Sequence, residues 1–155
     1  MYQWGGRVPF CVQWKGKIPA GKDYDFPIQN LDILPTALIA AGGKVDPEWK
    51  LDGVDLMPYL TGKNSAAPHE KLFWRFGEQW AIRKGDWKLV ASAFDKNVPR
   101  LINLKDDIGE ANDLSEKNPD KVKELTTEWK AWNAEQKEPL WKPAMAKKKK
   151  DKDGE

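Results

Sequence analysis

The hydrophobic pattern changes its period along the chain. Val8 to Trp14 is a short apolar run containing Pro9 and closed by Lys15-Gly16-Lys17, which predicts a strand entered through an irregular approach. Ile18-Pro19-Ala20-Gly21 reads as a turn. From Asn30 the spacing becomes helical: Leu31, Leu34, Leu38 and Ile39 recur at i, i+3, i+7 and i+8, and Gly42-Gly43 supplies a carboxy-terminal cap. With Asp32 as N-cap, Pro35 falls at N3, where its missing N–H is a donor the helix could not have used. Leu51 to Leu60 is followed by the polar, Gly- and Pro-punctuated stretch Thr61 to Pro68, which predicts a surface connection and a subdomain boundary.

After that boundary the period is two. Leu72, Trp74 and Phe76 alternate with Phe73 and Arg75, and Trp80 and Ile82 with Ala81 and Arg83. Lys84-Gly85-Asp86 then separates this run from Trp87 to Val90, a hairpin in which Gly85 can take positive φ. A turn over Asp95 to Pro99 leads into Leu101 to Leu104. The segment therefore predicts about four antiparallel strands, with one aromatic face. Asn118 and Pro119 start a helix that runs to about Gln136, with Val122, Leu125, Trp129 and Trp132 on one side. Neither that stripe nor the sheet can bury its apolar side alone, so helix on sheet is the expected arrangement for roughly residues 70 to 141.

Composition narrows the partners. The 155 residues carry 26 Lys+Arg against 24 Asp+Glu, a formal charge of +2, so nothing global favours nucleic acid or an acidic surface. Part of that excess lies in Lys147 to Lys150, in a tail expected to be solvated and disordered. No stretch approaches the roughly 20 apolar residues of a membrane span, and Met1 to Arg7 lacks the apolar segment of a signal peptide. Cys11 is the only cysteine; between Phe10 and Val12 it is expected to be a buried, inert thiol.

Candidate chemistry is sparse. His69 is the only histidine, and no serine sits in a Gly-x-Ser-x-Gly elbow. Asp106, Asp107, Glu110 and Asp113 do not follow a Ca2+-loop spacing and are expected to serve as turn and cap residues. Exposed tryptophans on a sheet could stack on sugars, but the matching stripe on the final helix favours packing for most of Trp74, Trp80 and Trp87.

Six ordered blocks carry a family resemblance: Arg7-Val8-Pro9-Phe10; Trp14-Lys15-Gly16-Lys17-Ile18-Pro19-Ala20-Gly21; Leu31-Asp32-Ile33-Leu34-Pro35-Thr36; Leu51-Asp52-Gly53-Val54-Asp55-Leu56; Arg83 to Val90; and Leu101-Ile102-Asn103-Leu104 with Asn112-Asp113-Leu114. Over residues 2 to 141 the chain resembles the carboxy-terminal portion of formylglycine-dependent sulfatases, the arylsulfatase family. The resemblance implies a partial α/β fold of the alkaline-phosphatase-like type. Residues 1–62 would end the large domain, 63–141 would form a small antiparallel subdomain with its helix at about 119–136, and 142–155 the charged tail.

It also implies hydrolysis of an aryl sulfate or a sulfated carbohydrate through formylglycine and Ca2+, and a periplasmic or secreted parent enzyme. Neither group is expected in this chain: Cys11 is followed by Val12-Gln13-Trp14 rather than the x-Pro-x-Arg of the formylglycine motif. Catalytic and metal-binding residues are therefore expected in a missing amino-terminal portion, the chain's implied partner, and the chain alone is expected to be inactive. Neither nucleic acid nor membrane is an expected partner. Arg7, His69, Trp74 and Arg75 remain as candidates for substrate contact, since the family's small subdomain can form one wall of the cleft. Gln3 and Trp4 depart from the family's usual Glu and Gly. The alternative is a non-catalytic carbohydrate-binding or structural module derived from the same tail. If the rest of the large sheet is missing, the apolar faces of residues 8 to 43 lie open and this half is expected to aggregate.

Overall fold

The structure, a computed structural model, describes Tyr2 and residues 7–138; the charged tail lies outside the described residues. The chain divides into two compact units, one spanning Arg7–Leu72 and the other running from Phe73 onward, with Tyr2 belonging to the second.

In the first unit, Arg7 to Trp14 has no regular secondary structure and is exposed throughout, with Val8 71% exposed. The expected strand is thus not formed. A strand exists only by pairing its backbone N–H and C=O groups, and no described strand of this unit lies beside it to do so. Cys11 is exposed with its neighbours, contrary to the buried thiol expected from its apolar surroundings.

The helical prediction fares differently. A 3-10 turn over Asn30–Asp32 leads into α1, Ile33–Ala40. Gly42, at φ +83, ends α1 in a Schellman arrangement: the Gly43 amide donates to the Leu38 carbonyl at 2.9 Å and the Gly42 amide to that of Ile39 at 2.9 Å. Of the residues spaced to form the apolar stripe of α1, however, Leu31, Leu34 and Ile39 point out, Leu34 being 58% exposed. Residues Met57–Leu60 form the single-turn helix α2.

The second unit is built on a four-stranded sheet in the order β1-β2-β3-β4, comprising Lys71–Phe76, Gln79–Lys84, Trp87–Ala91 and Arg100–Asn103. The first two residues of β1 fall in the preceding unit. The β2–β3 and β3–β4 ladders are antiparallel, with Ile82 opposite Leu89 and Leu89 opposite Leu101. The two residues between β1 and β2 allow only an antiparallel return, because a parallel one needs a crossover of a dozen residues or more. Gly85, at φ +58, turns the β2–β3 hairpin as its sequence predicts.

One face of the sheet meets helix α3, Pro119–Ala134. Leu125 is completely buried with Ile82, Leu89 and Leu101, ringed by Phe73, Trp80, Trp87, Val122 and Trp129. Phe73 stacks on Trp132 at 5.0 Å and Trp80 on Trp129 at 4.7 Å, each pair adding about 0.5–1.5 kcal/mol beyond its buried area. The sheet is nevertheless not aromatic on one face only. Trp74 and Phe76 lie on the opposite face, where Ala81, Val90, Ile102 and Leu104 form a second core under Tyr2.

Candidate functional site

Two polar clusters stand out, one inside each unit. In the first, Asp32 occupies the N-cap position of α1 and is fully buried, but its side chain does not cap the helix. Its carboxylate accepts the Gln29 amide at 2.9 Å, the Val54 amide at 2.9 Å, and His69 Nε2 at 2.9 Å from both oxygens. Thr36 extends the knot, donating to the Asp32 carbonyl at 2.6 Å and accepting the Leu56 amide at 2.9 Å. Gly53 lets the segments of this knot close: a Cβ there would sit 2.0 Å from the Leu31 carbonyl oxygen. The blocks Leu31-Asp32-Ile33-Leu34-Pro35-Thr36 and Leu51-Asp52-Gly53-Val54-Asp55-Leu56 are thereby one structural element. His69 is no loose loop residue, since its side chain is only 7% exposed.

In the second unit, Lys88 points to the sheet face opposite α3 and donates to Glu110 at 2.7 Å, with both side chains almost wholly buried. Burial pulls the Lys88 ammonium below its usual range, and Glu110 opposes that shift without cancelling it. The Lys88 Nζ also stands 6.0 Å from the ring centre of Trp74, within cation–π range. Glu110 has a left-handed φ of +57. Its acidic neighbours behave as expected of turn residues: Asp107 accepts the amides of Ala111 and Asn112, and Asp113 those of Leu101 and Ser115.

Beside this pair, Tyr2 donates to Asp95 and accepts from Arg100 at 3.2 Å, while Ser92 donates to Asp95 at 2.8 Å. Burial raises the Tyr2 hydroxyl above its ordinary range, and that hydroxyl's bond lowers Asp95.

The four residues expected to contact substrate fall two in each unit, Arg7 and His69 in the first and Trp74 and Arg75 in the second. Arg7 is exposed in the unpaired segment. Trp74, 37% exposed, and Arg75 lie on opposite faces of β1. Arg75 donates to Asn133 Oδ1 at 2.8 Å and to the Lys137 carbonyl at 2.6 Å, closing the end of α3 onto the sheet. His69 is held by Asp32. Sequence reasoning missed Asp32, whose partners are dispersed; the available signal was an acidic residue spaced to be a cap with a helix-compatible proline three positions on.

The helix-covered antiparallel sheet and the paired motif blocks define a class: the carboxy-terminal region of a sulfatase. Residues 1–137 match the family model described as N-sulphoglucosamine sulphohydrolase, C-terminal, and the chain belongs to that sulfatase family. An uncharacterized sulfatase of Escherichia coli, YdeN, is 42% identical over 73 residues, 47% of this chain and 13% of the relative. Arylsulfatase G of Rattus norvegicus is 30% identical over 139 residues, 77% of this chain and 26% of that protein. Among solved structures, Ps i-CgsB aligns with a TM-score of 0.71 at 27% identity, covering 83% of this chain and 29% of that one; it is also known in complex with k-i-k-neocarrahexaose. The chain thus spans only a minor part of the proteins it matches.

Proposed function

We propose that this chain is the carboxy-terminal part of an enzyme that hydrolyses sulfate esters, with its nucleophile and metal outside these residues. The observation that carries the reading is the family match over residues 1–137. Formylglycine would supply the attacking oxygen and Ca2+ would neutralise the sulfate. Among the described residues no group of three or more His, Cys, Asp or Glu could hold a metal ion, and Cys11 has the wrong neighbours for the formylglycine motif. The described residues fit neither group, and in this reading both would belong to another portion of the enzyme.

In this reading residues 1–62 complete the large domain and 63–141 form the small one. Arg7 and Trp74 are the better placed of the substrate-contact candidates, because Arg75 spends its donors on α3 and His69 its Nε2 on Asp32. A sulfated carbohydrate is the favoured substrate class on the neocarrahexaose complex of Ps i-CgsB, with an aryl sulfate second. The parent enzyme would be exported; no helix among the described residues is long and apolar enough to cross a membrane.

The test is sulfate release from 4-nitrophenyl sulfate and from sulfated oligosaccharides, by the chain alone and by the chain joined to its upstream coding sequence. Release by the longer protein only is expected. Turnover by the chain alone would refute the reading. Polysaccharide binding by the chain, lost in Trp74→Ala, with no turnover by the longer protein, would favour the carbohydrate-binding module instead.

A further inference from the structure

We infer that His69 is a positioning residue: the donor that closes a carboxylate-centred knot joining the two motif blocks of the first unit, and not a group that meets substrate. A buried carboxylate must have its lone pairs filled by donors, and leaving one unmatched costs more than a neutral contact is worth. Asp32 has no exposure, and two of its donors are backbone amides, those of Gln29 and Val54. The remaining donor is His69 Nε2, equidistant from both oxygens at 2.9 Å and 37 residues along the chain. The amides are delivered by two different segments, so a carboxylate that shifts to find another donor loses its hold on one or both.

Among the described residues His69 is the side chain that donates to this carboxylate, although other bonds tie the two blocks elsewhere. Thr36 bridges the Asp32 carbonyl and the Leu56 amide, and Gly53 removes the Cβ that would keep Val54 away, but neither touches the carboxylate. His69 also lies two positions before β1 begins at Lys71. The required chemistry is an N–H at the Nε2 position. Glutamine places an amide nitrogen at a comparable reach, whereas alanine supplies nothing and phenylalanine fills the volume without a donor.

This assignment rests on the proposed sulfatase reading only for its kinetic arm. In the chain itself, amide exchange at Gln29 and Val54 is compared across wild type, His69→Gln, His69→Ala and His69→Phe. The alanine and phenylalanine variants are expected to exchange at both amides about tenfold faster or more, the size of losing one hydrogen bond to a charged group, and the glutamine variant to stay near wild type. Unchanged protection in His69→Phe, or loss in His69→Gln equal to that in His69→Ala, would overturn the positioning role. Should the alanine variant fail to fold, the glutamine and phenylalanine pair decides alone. In the longer protein, His69→Gln is expected to keep both kcat and KM for sulfate release. A large rise in KM with amide protection intact would place His69 against substrate and overturn the inference. If the longer protein hydrolyses no sulfate ester, the exchange comparison still decides the knot.

Discussion

The two units differ in how much apolar surface they bury. Residues 73–138 keep Leu125, Ile82, Leu89 and Leu101 fully inside and close α3 over them with stacked tryptophans. Residues 7–72 do the reverse: Val8, Phe10, Leu31 and Leu34 face outward, while what they bury most completely is the Asp32 carboxylate. Under physical pressure to remove apolar area from water, the first arrangement is self-sufficient and the second is not. An isolated polar knot can fix the path of a loop, but it supplies little of the driving force that a covered apolar face supplies. The first unit therefore leaves much of its apolar surface open to water.

The contrast can be broken most forcefully in the closed unit. Lys88→Met removes the ammonium that donates to the buried Glu110 carboxylate and is expected to cost about 3–5 kcal/mol in chemical denaturation, whereas Lys88→Met with Glu110→Met should recover most of that loss. Leu125→Ala should cost about 2–5 kcal/mol through the cavity it leaves between α3 and the sheet. Both losses should appear in the tryptophan fluorescence transition and leave exchange in residues 7–14 unchanged. In the open unit, Gly53→Ala forces a Cβ against the Leu31 carbonyl and is expected to cost about 1–3 kcal/mol, read as lost protection at Val54. Leu34→Lys, by contrast, should change stability by no more than about 0.5 kcal/mol while raising solubility, as measured by light scattering.

The smallest effect is electrostatic. Lys121 and Lys84 hold Glu124 down at about 2, and Lys84 is raised in turn, chiefly by Glu128 and then Glu124. A depressed carboxylate stabilises the fold above its ordinary range near 4.5, and that contribution fades as pH falls from there through about 2. The pair lies at the surface, so added salt should weaken it. Carboxyl carbon shifts followed by NMR should give a midpoint near 2 for Glu124, rising toward the usual range in Lys121→Met.

Much of the closed unit is legible in the sequence because its signals are local. Period-two alternation marks β1 to β3, Gly85 marks a hairpin, and Asn118-Pro119 marks the start of α3. Even here the expectation of a single aromatic face fails by its own alternation, which puts Trp74 and Phe73 on opposite sides so that both carry rings. Gly42-Gly43 is likewise a local signal, and it ends α1 as its chemistry dictates. The strand expected at Val8 to Trp14 fails for a physical reason: a short apolar run gives a segment the capacity to pair, but a ladder needs a neighbour. The two polar clusters were hidden because each joins residues far apart in sequence. Asp32 looked like a cap and Glu110 like a turn residue, and only the fold brings His69 to the one and Lys88 to the other.

The central claim, that one unit is closed around an apolar core and the other leaves its apolar residues open, is tested most directly by hydrogen exchange with mass spectrometry on the isolated chain. Slow exchange in β2, β3 and α3 together with exchange at near-random-coil rates in residues 7–14 is the expected result. Equal, strong protection of residues 7–14 and of the sheet would contradict it.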